Sequence, residues 1–165
     1  KFKNEDKRQG ALPFVRHHNI KYGGQFPIWV AVELFTFGML GSLFDLMREN
    51  DQRAVSREYN LSPESLSRLI ASAVDVRNIC AHYNRLYNRV LDDQPLLPNR
   101  LRLYESDRLF PLLLAFAHIL GRERVLNRLI TGLSLLEADF PEADLSLCGF
   151  PEDWRSILEA EAAQS

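Results

Sequence analysis

Apolar residues recur along this chain every three to four positions, and no stretch of useful length alternates apolar with polar residues. The first spacing is typical of amphipathic helices, and a period of two would indicate half-buried strands. We therefore predict an all-α fold. With 165 residues, of which 46% are hydrophobic, the chain is long enough to bury a core of its own.

Capping and turn residues divide this helical pattern into a bundle with two long central helices and shorter flanking ones. Pro27 suits the first turn of a helix that extends to about Asn50. Ser62 and Pro63 form an N-cap and first turn for a second helix that reaches about Leu91, roughly 45 Å at ~1.5 Å per residue. The shorter helices are predicted over residues 51–59, 106–120, 122–139 and 152–162, with Gly121 as a turn residue and residues 92–105 as a loop.

The second long helix carries a predicted core stripe that includes Cys80, Tyr83 and Tyr87. Cys80 and Cys148 lack the CxxC spacing of redox and metal motifs, so we interpret them as reduced, buried thiols.

Charge is unevenly distributed. Residues 1–27 hold six Lys/Arg against two Asp/Glu, and residues 136–165 hold one against eight. The net charge of -2 argues against a protein that coats nucleic acid indiscriminately. We divide the chain into a basic segment, 1–26, and a helical domain, 27–165, with an acidic end. Because the sequence opens at Lys1, we expect the basic segment to be the end of a truncated region.

The apolar runs are too short to cross a bilayer and no secretory signal is visible, so we predict a cytoplasmic protein without a membrane partner. Of the 20 basic residues, 16 are arginine. The planar guanidinium matches the oxygens of phosphate or carboxylate groups, although a general arginine bias of the genome explains the count equally well.

One polar line runs along the predicted second helix. Residues three, four and seven apart share a helix face, which places Asp75, Asn78, His82, Arg85 and Arg89 together. Arg77 would point about 140° away from His82 on a straight helix. On spacing alone, a solvated helix face is the simpler interpretation.

Three blocks change that interpretation: "PIWVAVELFTFGML" from Pro27, "RNICAHYNRLYNR" from Arg77, and "GFPEDW" from Gly149. In this order they resemble the Abi-like proteins of bacterial abortive infection, the AbiD and AbiF group. That group is related to the HEPN superfamily of helical ribonucleases, whose signature of Arg, a polar residue and a later His falls here on Arg77, Asn78 and His82.

The resemblance implies a HEPN-like helical bundle that dimerises, so that arginine and histidine from both chains line one cleft. His82 would act as general base or acid on a ribose 2′-hydroxyl. Arg77 would stabilise charge on the phosphoryl oxygens, and Asn78 would orient His82 or bind the phosphate. The reaction needs neither metal nor other cofactor, and we expect neither.

Other residues have two interpretations each. His17 and His18 are surface residues or RNA contacts. Glu33, which lies among apolar residues, forms an ion pair with an arginine of the second long helix or supports the cleft. Arg85 and Arg89 hold RNA phosphates or form salt bridges, and Tyr83 and Tyr87 belong to the core or the dimer interface rather than stacking on bases.

Three functions remain open. The first is a metal-independent endoribonuclease of phage defence, active as a homodimer. The second is a non-catalytic RNA-binding module of a defence or toxin-antitoxin system, with an antitoxin or regulatory RNA as a further partner. The third is a protein-interaction module whose acidic segment, Glu137 to Glu161, docks a partner.

Overall fold

The computed structural model describes residues 12–120 and 123–162 of the chain. Within these ranges all regular elements are helices, which confirms the predicted all-α class. The chain divides into two compact units, Lys1–Met47 and Arg48–Ser165. The division predicted from charge, between residues 26 and 27, stays a prediction, as does the HEPN-like assignment of the bundle.

The first unit is built from short helices. Its described elements are α1 (Pro13–Tyr22), α2 (Ile28–Ala31), a 3₁₀ turn (Val32–Leu34) and α3 (Phe37–Asp45). α1 begins at a proline, whose missing N–H would be unbonded in a first turn anyway. It ends at Gly23, whose φ of +60° is a left-handed conformation that glycine adopts without strain. Val15 and Leu34, which belong to this unit, are completely buried.

The continuous helix predicted from Pro27 to Asn50 is wrong. The backbone is extended at Phe35 and again at Thr36, so the chain leaves one helical segment before it starts α3. The Thr36 hydroxyl accepts a hydrogen bond from the backbone N–H of Met39 at 3.3 Å, which makes it the N-cap of α3. Apolar spacing continues across this break and therefore does not reveal it.

The second unit holds the longer helices. They are α4 (Glu49–Arg57), α5 (Pro63–Ala81), a 3₁₀ helix (Asn99–Tyr104), α6 (Leu109–Leu120), α7 (Glu123–Asp139), a second 3₁₀ helix (Leu145–Cys148) and α8 (Trp154–Ala162). α4, α6, α7 and α8 lie close to their predicted positions, whereas the first 3₁₀ helix falls in the segment predicted as a loop, residues 92–105. The turn predicted at Gly121 lies outside the described residues.

α5 starts as predicted and ends ten residues earlier than predicted. The Ser62 hydroxyl accepts a hydrogen bond from the backbone N–H of Ser65 at 3.0 Å, and Pro63 occupies the first turn. The last helical residue is Ala81 rather than Leu91. At ~1.5 Å per residue α5 is roughly 28 Å long. The polar line predicted from Asp75 to Arg89 is therefore wrong beyond His82.

The core of the second unit forms around α6, which contacts α5, α7 and α8. Its sequence is apolar on nearly all sides, as expected for an enclosed helix. Phe110 packs its ring 4.9 Å from that of Phe150, which in turn lies 5.8 Å from Trp154 in an edge-to-face arrangement. Each large side chain buried in this way contributes about 1.5–3 kcal/mol to folding.

Gly149 allows the chain to turn into this aromatic cluster. Its φ is +83°, and a Cβ atom added there would lie 2.7 Å from the Cβ of Arg108. Both the left-handed backbone and the close approach require glycine. This explains one residue of the "GFPEDW" block as a packing requirement.

Several carboxylates of the acidic C-terminal segment have partners within the chain. Glu161 is buried and accepts two hydrogen bonds from the Arg100 guanidinium, one of them 2.7 Å long between Nη2 and Oε2. This bond raises the pKa of Arg100 above its ordinary value, although partial burial opposes the shift. Glu137 pairs with Arg155 at 2.5 Å.

Asp144 caps the second 3₁₀ helix. Hydrogen bonds from the hydroxyl and then the backbone N–H of Ser146 lower the pKa of the Asp144 carboxyl.

The two cysteines are free thiols in different surroundings. Cys148 is buried, as predicted, whereas Cys80 is exposed and the prediction of a buried thiol there is wrong. None of the helices in the described ranges is long and apolar enough to cross a bilayer.

Candidate functional site

The end of α5 is a Schellman turn without glycine. The backbone N–H of Asn84 donates to the carbonyl of Ile79 at 3.0 Å, and that of Tyr83 donates to the carbonyl of Cys80 at 3.1 Å. These are the two bonds that define the motif. His82 is the C-cap, and Tyr83 occupies the left-handed position with a φ of +55°. Glycine usually fills this position because a Cβ atom there is strained.

Tyr83 combines that strained backbone with almost complete exposure. Its relative accessibility is 99%, so its ring obtains no packing energy to offset the strain. Tyr87 is also exposed, at 38%, and its phenolic oxygen accepts a hydrogen bond from the backbone N–H of Asp144 at 3.0 Å. The prediction that these two rings continue the core stripe of α5 is wrong, because the helix has ended before it reaches them.

Contacts with the rest of the second unit hold the loop after α5. Leu91 is buried in the core, and its backbone N–H donates to the carbonyl of Asp107 at 2.8 Å. The side-chain carbonyl of Asn88 accepts from Arg108 at 3.0 Å, and its backbone N–H lies 3.5 Å from the Cys148 sulfur. These contacts hold the loop against other parts of the second unit.

The three residues of the signature lie on the last turns of α5. Arg77 is exposed, and its Nη1 donates to the Asn78 side-chain oxygen at 3.0 Å. The backbone N–H of His82 donates to the Asn78 carbonyl at 3.1 Å, so His82 still follows the helical path. Arg77 and His82 are five residues apart and therefore point about 140° from each other within one chain. Asn78 orients Arg77 here, and in the described part of the chain it makes no side-chain bond to His82.

We name Arg77, Asn78, His82, Tyr83 and Arg85 the α5 terminus. His82, Tyr83 and Arg85 are exposed, as is Arg89 further along the loop. Carbonyl groups at the C-terminal end of a helix repel anions, so a phosphate here must be held by arginine side chains. The α5 terminus thus offers guanidinium donors and one imidazole to an anionic ligand.

Among the remaining predicted residues, Glu33 lies on the 3₁₀ turn of the first unit and is exposed, so its carboxylate reaches solvent. The ion pair proposed for it with an arginine of α5 stays a prediction. His17 and His18 lie on α1, His17 exposed and His18 half-buried. In the described ranges, no three His, Cys, Asp or Glu side chains group as metal ligands would.

A family described as Abi-like protein matches residues 1–88, more than half of the chain. The chain belongs to the Abi-like family. The matched Abi-like segment contains α1 to α5 and the whole α5 terminus, whereas α6, α7 and α8 follow it. Membership suggests a part in abortive infection, the bacterial defence against phage. No curated protein and no solved structure matches the chain.

Two features of this Abi-like site were not predicted from the sequence. One is the exposure of Tyr83, which follows from an early helix end that no glycine or proline marks. The only local indications were Asn84 and Asn88, since asparagine is a weak helix former and tolerates left-handed conformations. The other is the fixing of the loop by Arg108 and Cys148, which are too distant in sequence to be recognised.

Proposed function

We propose that this Abi-like chain is a metal-independent endoribonuclease of phage defence and that the α5 terminus is its active site. The observation that carries the proposal is the grouping of exposed Arg77 and His82 with half-buried Asn78 within six consecutive residues of the family-matched segment. An imidazole beside phosphate-binding guanidinium groups is suited to cleave RNA through the ribose 2′-hydroxyl.

In this mechanism His82 removes the proton from the 2′-hydroxyl, whose oxygen attacks the adjacent phosphorus. The bond to the 5′-oxygen breaks, and that oxygen takes a proton from water to become a 5′-hydroxyl, while His82 returns its own proton to water. The other product end is a 2′,3′-cyclic phosphate. Arg77 binds the phosphoryl oxygens as their negative charge increases. Its hydrogen bond to Asn78 already restricts the Arg77 side chain, so less side-chain entropy is lost when the phosphate binds.

A single chain does not bring Arg77 and His82 together, because they diverge by about 140°. We therefore propose that a second copy completes the site, so that Arg77 of one chain and His82 of the other contact the same phosphate. A homodimer with two-fold symmetry would contain two such sites.

Cleavage is tested by incubating the purified protein with total RNA in excess EDTA and labelling the new 5′ ends. We expect fragments with 5′-hydroxyl ends. His82→Ala should abolish them and leave RNA binding intact, whereas Cys80→Ala, which changes an exposed residue of the same helical turn, should cleave normally. Equal cleavage by His82→Ala and wild type would refute the proposed role of His82.

The shared site is tested by mixing the two inactive variants Arg77→Ala and His82→Ala. Random exchange makes half of the dimers mixed, and each mixed dimer has one intact site, so about a quarter of the wild-type rate should return. If each site lay within one chain, the mixture would stay inactive. A light-scattering mass of one chain for the active protein would also contradict the proposal.

The divergence of Arg77 and His82 also favours a second function, a non-catalytic RNA-binding module. Wild type that binds RNA and never cleaves it would identify this function. A docking role for the acidic segment has less support, because Glu137 and Glu161 are already paired with arginines of the same chain.

A further inference from the structure

α1 carries a cluster of aromatic rings outside the α5 terminus. His17 and His18 lie 5.5 Å apart between ring centroids, and Tyr22 lies 5.6 Å from His17 and 5.4 Å from His18. Phe26 stacks on His18 at 5.2 Å with 17° between the ring planes. We name these four rings the α1 ring cluster. They are only partly covered, and Tyr22 is 48% exposed.

Residues of the α1 ring cluster line two open concavities. Pro13, Arg16, His17, Ile20 and Lys21 line one of about 610 Å³. His18, Tyr22, Gln25, Phe26 and Pro27 line the other, of about 440 Å³. Both volumes fall in the range of small-molecule sites.

Positive charge surrounds the rings. Arg16 and Lys21 are exposed, and the Lys21 ammonium lies 5.6 Å from the centroid of the Tyr22 ring. Residues 12–32 contain neither aspartate nor glutamate. An anionic ligand therefore meets no opposing carboxylate from this stretch of the chain.

The hydrogen bond of His18 fixes how its ring is presented. Its Nδ1 lies 2.8 Å from the Phe14 carbonyl, and a carbonyl only accepts, so Nδ1 carries a proton and donates. This bond and the stacked Phe26 hold the imidazole in one orientation. The ring is thus prepared for contact before a ligand arrives.

Exposed rings interleaved with cations are the components of a surface for single-stranded nucleic acid, in which bases stack on rings and cations follow the backbone. A duplex hides the faces of its bases and does not fit this surface. We propose that the α1 ring cluster, with Arg16 and Lys21, binds single-stranded RNA by stacking and phosphate contact. The choice of RNA as the ligand rests on the proposed function.

The test measures binding of a fluorescently labelled single-stranded RNA by anisotropy, in a His82→Ala background that leaves the RNA uncut. Tyr22→Ala should weaken binding about tenfold, and Tyr22→Phe should retain it because the ring remains. Tyr59→Ala is the matched control, since Tyr59 is similarly exposed, at 42%, on the other unit. Circular dichroism verifies that each variant is folded.

Charge is tested separately. Arg16→Ala with Lys21→Ala should reduce the slope of log affinity against log salt by about 1.4, at ~0.7 for each cation lost on a single strand. Arg57→Ala with Arg128→Ala removes the same charge from exposed positions elsewhere and should leave the slope closer to that of the parent. Single-stranded DNA should bind comparably, and duplex RNA more weakly.

Unchanged binding by Tyr22→Ala, or equal binding of duplex and single strand, would overturn the inference. So would α1 variants that lose a dimeric mass in light scattering without losing RNA affinity, since α1 would then be a contact between copies. The outcomes are separable from the proposed nuclease. If RNA binding depends on α1 but the wild type cleaves no RNA, only the nuclease proposal is refuted. If the wild type cleaves RNA but binding does not depend on α1, only the present inference is refuted.

Discussion

Replacing Tyr83 by glycine should stabilise the protein. A left-handed backbone costs a residue with a Cβ atom about 1–2 kcal/mol. Glycine removes this cost but loses about 0.5–1 kcal/mol more conformational entropy on folding. The ring is 99% exposed, so its removal gives up almost no packing. The expected net gain in the free energy of unfolding is therefore about 0.5–1 kcal/mol. In a chain of this length, each kcal/mol raises Tm by ~2–4 °C.

Urea unfolding followed by tryptophan fluorescence measures this gain in the second unit. Trp154 lies on α8 and is 4% exposed, so its emission changes when that unit unfolds. Trp29 is 72% exposed already and contributes little to the change. The midpoint for Tyr83→Gly should move to higher urea with an unchanged slope.

Tyr83→Ala is the matched control for this prediction. It removes the same ring but keeps a Cβ atom in the left-handed position, so its stability should remain close to that of wild type. The informative quantity is the difference in the free energy of unfolding between the two variants, about 0.5–1 kcal/mol in favour of glycine. If Tyr83→Gly is no more stable than Tyr83→Ala, the Schellman turn at the end of α5 is not strained and this reasoning fails.

Other predictions concern the C-terminal half and use the same unfolding assay. Arg100→Ala removes the guanidinium that pairs with the buried Glu161 carboxylate and should cost about 2–3 kcal/mol, less than for a fully buried pair because the arginine is partly exposed. Arg155→Ala breaks a more exposed ion pair and should cost under about 1 kcal/mol. Equal losses of stability for Arg100→Ala and Arg155→Ala would contradict this expectation. Gly149→Ala combines a left-handed φ with a steric clash and should cost about 2–4 kcal/mol. A smaller loss of stability would mean that the backbone at residue 149 shifts to accommodate the added Cβ atom, which would contradict the steric argument. The lowered pKa of Asp144 means that its cap stabilises the fold above the ordinary aspartate pKa of about 3.9 and is lost as pH falls through the folded-state pKa. Asp144→Asn should therefore differ from wild type near neutrality and converge with it in acid, and a constant difference would refute the cap.

Helices with strong local signals were predictable from the sequence. Ser62 and Pro63 mark the start of α5, and the Ser62 cap forms as expected. The apolar pattern likewise located α6 and α8 to within a few residues. In these segments the capping residues and the apolar face agree with the tertiary structure, so local rules are sufficient.

The two long helices were overextended for different physical reasons. At Thr36 a side chain caps the next helix while the apolar spacing continues, because that spacing reports which side of the chain is buried rather than whether the backbone is continuous. After His82, contacts with distant residues decide the path: the Leu91 N–H donates to the Asp107 carbonyl and Arg108 holds Asn88. Tertiary contacts of this kind override a helical pattern that no glycine or proline interrupts.

The early end of α5 changes what one chain can supply to a phosphate. On a helix continuing to Leu91, Arg85 and Arg89 would lie on the face of His82, and a single chain would present two guanidinium groups beside the imidazole. Because the helix ends at Ala81, both arginines leave that line, and Arg77 already points elsewhere. A second copy is the direct way to return a guanidinium to His82, which makes the mixed-variant experiment more decisive than either single substitution. Full cleavage by a strictly monomeric protein would show instead that the loop after α5 rearranges when RNA binds.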